Sequence, residues 1–232
     1  MHVQDLGALE RSTLRERCLL ALRSALTAGR FPPGGHLNEV ELATLFGVSR
    51  ATVREALRHL QQEGLIVVGS RGMLHVRQLN SDEIREIYSV RAALEALAAE
   101  TLSALDDRRR VGAELQAAVA LLDASEGNLP AQIEADLAFH LKLCELSGNR
   151  TLVASWRSIA GPIRVTIMHA GLERALHNMA AARHRPIVQA IEVGKPDIAR
   201  SVVFGHMMQA AERLVQATDA GQQDLIPAAR PI

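Results

Sequence analysis

The stretch Phe46-Gly47-Val48-Ser49-Arg50-Ala51-Thr52-Val53-Arg54-Glu55-Ala56-Leu57-Arg58-His59-Leu60-Gln61-Gln62-Glu63-Gly64 decides the fold. On a helical wheel at ~100° per residue, Val53, Ala56, Leu57 and Leu60 share one arc, while Arg50, Arg54, Arg58 and Gln61 share the next. One face is built to pack, and its neighbour is a basic stripe ending in an amide. Gly47-Val48-Ser49 forms a tight turn, Ser49 is suited to cap the helix, and Gly64 is suited to end it. A basic face of this kind meets phosphates and base edges in a major groove, where the arginine fork matches guanine.

Working outward, Thr13 to Ala28 reads as a helix with Leu14, Leu19, Leu22 and Leu26 toward a core, stopped by Gly29 and the breaker run Phe31-Pro32-Pro33-Gly34-Gly35. Glu39 to Phe46 is a second, short helix. After Gly64 the period changes. Leu65-Ile66-Val67-Val68 and Met73-Leu74-His75-Val76 predict a hairpin across Gly69-Ser70-Arg71-Gly72. Arg71 at its tip is placed to reach a flanking phosphate or the minor groove. Three helices and a hairpin outline a winged helix-turn-helix over residues 10–78.

Leu79-Asn80-Ser81-Asp82 marks a boundary, and residues 82–220 read as an all-α helical bundle. Helices are expected near 82–105, 107–124, 130–147, 150–170, 174–193 and 196–218, with Gly or Pro at the breaks. Gly161-Pro162 inside one of them predicts a kink, and the tail from Gln222 to Ile232 is expected to be loose. The fold class is therefore mainly α, a DNA-binding head followed by a helical bundle.

The net charge is zero, but unevenly distributed. Residues 1–78 carry 10 Lys and Arg against 7 Asp and Glu, and residues 79–232 carry 16 against 19. The basic front half suits a polyanion. Cys18 and Cys144 lie far apart in apolar helical patterns and read as buried free thiols, which fits the cytoplasm. No apolar run reaches a membrane span, and the N-terminus has no signal-peptide pattern.

The bundle carries polar groups on apolar faces. Asp136 and His140 are four apart and share a face with Ile133, Leu137, Leu143 and Cys144. His206 sits on an arc with Ala199, Val202, Val203, Ala210 and Leu214. His184 shares one with His177, Ala181, Val188 and Ile191. Burying such groups unpaired is costly. One carboxylate and three imidazoles from three helices make a candidate site for a divalent metal ion, with Zn, Ni and Mn all compatible. His177 and His169 are spare imidazoles, and His177 rivals His184. Arg91 lies on a face with Ile84, Ile87, Tyr88, Leu94, Ala98 and Leu102, either paired to Glu95 one turn on or reaching inward to grip a ligand carboxylate. The sequence contains no HExxH, Gly-rich phosphate loop or G-x-S-x-G elbow, so an enzyme is not expected.

The run Pro33-Gly34-Gly35-His36-Leu37-Asn38-Glu39-Val40-Glu41-Leu42-Ala43, with Phe46 to Leu57, Leu60 and Glu63-Gly64-Leu65, resembles the GntR superfamily of bacterial regulators. The resemblance implies that Ser49, Arg50, Thr52 and Arg54 contact DNA, with Arg71 and Gly72 in the wing. Many relatives carry a basic residue where this chain has Val40. The second half resembles the FCD ligand-binding domain of the FadR-type branch, through Glu86 to Arg91 with Leu94-Glu95, Asp136 with Phe139-His140, Ser147-Gly148-Asn149 with Leu152, and His184 and His206. This likeness implies a transcription repressor whose bundle binds a metal at Asp136, His140, His184 and His206. It also favours a small organic acid effector held by Arg91, with Asn149 either lining the same pocket or serving as an ordinary helix stop; and because one recognition helix reads too few bases, a homodimer on a pseudo-palindromic double-stranded operator is expected.

Overall fold

The computed structural model describes residues 13–169 and 172–223. Helix α1 (Leu14–Thr27) starts at a capping box in which the Thr13 hydroxyl and the Glu16 carboxylate satisfy each other's backbone N–H. Strand β1 (His36–Leu37) and helix α2 (Glu39–Phe46) follow, the latter capped by the Asn38 side chain. Gly47, at φ 63°, turns the chain left-handed out of α2. Helix α3 (Arg50–Gln62) then begins on the Ser49 cap. Strands β2 (Ile66–Val68) and β3 (Leu74–Val76) complete an antiparallel sheet of order β1-β3-β2. The hairpin is as expected. The third strand is not: His36 and Leu37 pair with His75 and Leu74, so the segment after the Pro-Gly run joins the wing.

The expected packing arc of α3 is buried. Val53, Ala56, Leu57 and Leu60 are closed off from solvent against Leu22 and Leu26 of α1, Leu42 of α2, and Ile66 and Val76 of the sheet. Fully burying one such aliphatic side chain stabilises by about 1.5–3 kcal/mol. That grip leaves the basic arc facing outward.

The second domain comprises α4 (Ser81–Ser103), α5 (Arg108–Ala124), α6 (Leu129–Leu146), α7 (Arg150–His169), α8 (Leu172–Asn178), α9 (Ala181–Val193) and α10 (Pro196–Gln223). Helix α4 is central. It lies along α10 and also packs on α6, α7 and α9. Two boundaries differ from expectation. The segment expected as one helix from 174 to 193 is two, broken at Met179-Ala180, where Ala180 is extended and no side chain caps the new helix. Helix α10 also runs past residue 218 to Gln223, into the start of the segment expected to be loose; the rest of that segment lies outside the described residues.

Gly161 and Pro162 lie within a continuous α7, so the chain does not break there. Their role is contact between domains. A Cβ at Gly161 would fall 1.4 Å from the Glu63 carbonyl oxygen at the end of α3, and a Cβ at Gly64 would fall 3.1 Å from Pro162 Cδ. The end of α3 is seated on the bare backbone of α7. Among the described residues, no helix is long and apolar enough to cross a membrane.

Candidate functional site

Two sites emerge, one on the head and one inside the bundle. On the head, Ser49, Arg50, Arg54 and Arg58 are exposed along α3, and Thr52 is half-buried. The Ser49 hydroxyl lies 2.9 Å from Thr52 Oγ1 and accepts from the Thr52 N–H, so these two hydroxyls build the cap that aims α3. Arg54 makes a two-pronged pair with Glu39 of α2, Nε to Oε1 at 3.0 Å and Nη2 to Oε2 at 2.8 Å. The Arg54 hydrogen bond, against a smaller desolvation penalty, holds the Glu39 carboxyl below its usual range. Arg58 stands 3.6 Å from Glu55. Arg71 and Gly72 form the exposed wing tip, both left-handed at φ 61° and 75°. Val40, where relatives often carry a basic residue, is an exposed apolar side chain.

Inside the bundle, α4, α6, α9 and α10 bring Arg91, Asp136, His140, His184 and His206 together, all of them buried. His140 Nε2 lies 3.1 Å from His184 Nε2. Asp136 Oδ1 lies 3.1 Å from His184 Nε2 and 3.8 Å from His140 Nε2. The ring of His206 is 4.9 Å from that of His184 and 5.6 Å from that of His140. Ligating atoms of the three histidines all fall within 4.8 Å of one another.

The hydrogen bonds behind the rings decide what this convergence means. His140 Nδ1 is 2.5 Å from Glu95 Oε2, and His184 Nδ1 is 3.0 Å from the Ala180 carbonyl. A carboxylate and a carbonyl only accept, so each Nδ1 donates, and in the neutral rings that a metal would need each Nε2 presents a lone pair. Two lone pairs and an Asp136 oxygen then face one another with no proton between the nitrogens. That is an electrostatic conflict unless a cation stands among them. The 3.1 Å spacing suits two nitrogens sharing an ion at the ~2.0–2.1 Å typical of zinc–nitrogen bonds. The donor set of one carboxylate and neutral imidazoles, oriented from behind, fits a divalent transition metal.

Burial pushes the His140 and His206 imidazoles below their ordinary range, and for His206 the neighbouring His184 and His140 push further in the same direction. Both shifts favour the neutral ring, the form that ligation requires. Burial alone would raise Asp136, but His140, His184 and Arg91 outweigh it and hold the carboxyl well below its usual range.

Glu95 is the group that sequence reasoning undervalued. It is fully buried on α4 and receives three donors: Arg91 Nε at 2.8 Å and Trp156 Nε1 at 2.8 Å on Oε1, and His140 Nδ1 on Oε2. Burial raises its pKa, and its interactions with His140 and Arg91 overcome that and bring it down to about 2. Arg91 thus makes the expected pair with Glu95 and also turns inward. Its Nη1 is 3.4 Å from the Tyr88 hydroxyl, and its Nη2 lies 3.6 Å from Asp136 Oδ2 without a hydrogen bond.

Other expected site residues lie elsewhere. Asn149 is exposed, and its Oδ1 accepts from the Leu152 N–H at the start of α7. Its amide serves as a helix cap rather than lining the histidine cluster. His177 is exposed and does not compete with His184. His169 is half-buried outside the triad, with an Nε2 that has no hydrogen-bond partner.

Comparison with known proteins agrees with this two-domain fold. Residues 14–76 match the family of bacterial regulatory proteins, gntR family, and residues 86–209 match the FCD domain. The chain is 29% identical over 86% of its length to the probable D-xylose utilization operon transcriptional repressor of Paenarthrobacter nicotinovorans, covering 88% of that protein. It is 30% identical to the HTH-type transcriptional regulator Rv0494 of Mycobacterium tuberculosis, over 90% of this chain and 92% of that one. The fold is shared with a transcriptional regulator GntR from Rhodococcus sp. RHA1 at a TM-score of 0.72 and 24% identity, covering 89% of this chain and 99% of that one.

Proposed function

Because this chain belongs to the GntR family of bacterial regulatory proteins and carries an FCD domain, we propose that it is a metal-dependent repressor released or engaged by a small organic acid. The observation that carries the metal is the meeting of the His140 and His184 lone pairs with Asp136, beside His206. Asp136, His140, His184 and His206 would hold the ion. A bound ion would supply a positive charge that attracts a carboxylate.

The protein's own residues prepare the rest. Glu95 and the Ala180 carbonyl fix the two imidazole tautomers. Arg91 keeps Nη2 without a hydrogen bond next to Asp136, a donor placed to meet an acid oxygen. On the head, Arg50, Arg54 and Arg58, with Arg71 and Gly72 in the wing, would grip double-stranded DNA, while Ser49 and Thr52 aim the helix. The repressor sense is supported by the printed role of the Paenarthrobacter relative.

A single recognition helix reads few bases, so two copies on a pseudo-palindrome are expected. Exposed Val90 and Leu97 on α4 and Phe204 on the adjoining α10 offer an apolar face for a second copy. The test is metal analysis of the purified protein, then operator gel shifts with and without zinc and a panel of organic acids. Protein that carries no metal and gains no acid response on loading would refute the proposal.

A further inference from the structure

The histidine cluster is closed unevenly. His140 and His184 are 1% and 0% exposed, whereas His206 is 9% exposed. His206 also lines a surface groove of about 490 Å³ between α9 and α10. We infer that this groove is the entrance to the metal site: an ion loads and leaves between α9 and α10, past Gly205, and His206 is the first ligand it meets. The inference rests on the metal reading above and adds the route to it.

Gly205 marks the path. It lies inside α10, where glycine weakens a helix relative to alanine. Its backbone is not left-handed, and a Cβ there would meet nothing within 4 Å. Neither a turn nor a close approach calls for glycine, in contrast to Gly161. What the missing side chain leaves is open space in the groove. Ser201, Gly205 and Gln209 are spaced by four and so form one stripe of α10, with the small Ala182 across the groove on α9.

The walls are polar enough for an ion that arrives with its water shell. Pro186 has no N–H to give the Ala182 carbonyl its helical hydrogen bond, and both residues line the groove. The Ser201 hydroxyl and the Gln209 amide belong to exposed residues on the other wall. These groups can hydrogen-bond the waters that an entering ion carries. Arg183 stands on the same wall as Ala182. It makes no ion pair among the described residues, and Arg213 repels it. Its charge slows a divalent cation on the way in without being part of the ligand set.

A plug in a path slows entry and exit equally and leaves Kd alone, whereas a lost ligand changes Kd. The experiment measures zinc Kd of the full-length protein by chelator competition, and zinc release by mixing the loaded protein with excess chromogenic chelator. The association rate is the release rate divided by Kd. Gly205→Phe and, separately, Ser201→Phe should each slow release about tenfold or more at the parent's Kd. Ala154→Phe, in an exposed groove on α7 whose lining holds no cluster residue, should release zinc at the parent's rate. Arg183→Gln should raise the association rate at low salt, with the gain reduced at high salt. Parent protein that takes up no zinc overturns the metal reading and the entrance with it. Release at the parent's rate from both groove variants, with Kd intact, overturns the entrance alone. So does a Kd weakened in both at an unchanged association rate, since the fillers would then be displacing His206.

Discussion

Glu95 and His140 are locked together, Nδ1 to Oε2, in the dry centre of the bundle, although 45 residues separate them in the chain. This pair sets the tautomer of His140 and so aims its Nε2 at Asp136 and His184. Glu95→Gln replaces a fixed acceptor with an amide and leaves Arg91 without its main counter-charge. Zinc affinity, read by chelator competition, should fall about 10–100-fold, and the metal-free protein should lose about 3 kcal/mol or more in urea unfolding. Unchanged zinc affinity would mean that His140 does not depend on Glu95.

Metal removal gives the second prediction. With the ion gone, acceptors face acceptors, so EDTA should lower the melting temperature and zinc should restore it. Free zinc at 100 times its Kd adds about 2.7 kcal/mol, which is several degrees for a chain of this size. His206→Ala should abolish that recovery while leaving the far-UV circular dichroism helical. A zinc-induced shift that persists in His206→Ala would remove His206 from the ligand set.

The Arg54–Glu39 pair predicts an unusual gain. Phosphates must compete with Glu39 for the Arg54 guanidinium, so Glu39→Gln should tighten binding to nonspecific DNA and steepen its salt dependence by about one unit of log–log slope. Arg58→Ala, which loses only a loose contact with Glu55, should instead make that slope about one unit shallower. Equal slopes in all three proteins would show that neither arginine meets a phosphate.

His169 governs an acid limb of stability. Burial lowers its pKa to about 4, from an ordinary value of 6.5. The unfolded chain therefore takes up the proton first as the pH falls. Stability from this residue is complete above about pH 6.5 and declines between 6.5 and 4. His169→Gln should flatten melting temperature against pH across that window. An unaltered slope would place the proton uptake elsewhere.

Gly161→Ala would drive a methyl into the Glu63 carbonyl. The expected cost is about 1–3 kcal/mol of overpacking, relieved by lifting the head off α7. Operator affinity should fall while zinc affinity stays the same. Parallel loss of both would mean that the substitution unfolds the bundle instead.

The sequence made the head legible because its signals are local: the Ser49 cap, the left-handed Gly47 and two clean arcs on one helix. Asp136 and His140 were visible for the same reason, one turn apart on an apolar face. Glu95 was not, because four residues after Arg91 it looks like half of an ordinary surface ion pair. Its contacts with His140 and Trp156 exist only once α6 and α7 close over α4. Strand β1 was hidden by its two-residue length. The break before α9 has neither Gly nor Pro to announce it. Yet that break has a use, since Ala180 at its edge supplies the carbonyl that orients His184.

The seat of Glu63 on Gly161 also bears on how sharply such a regulator can respond. Backbone against backbone has no rotamers to absorb strain, so the joint cannot creep by degrees under a partial load. In the proposed two-headed regulator, such a joint would change the spacing of the heads in steps rather than by a continuous drift.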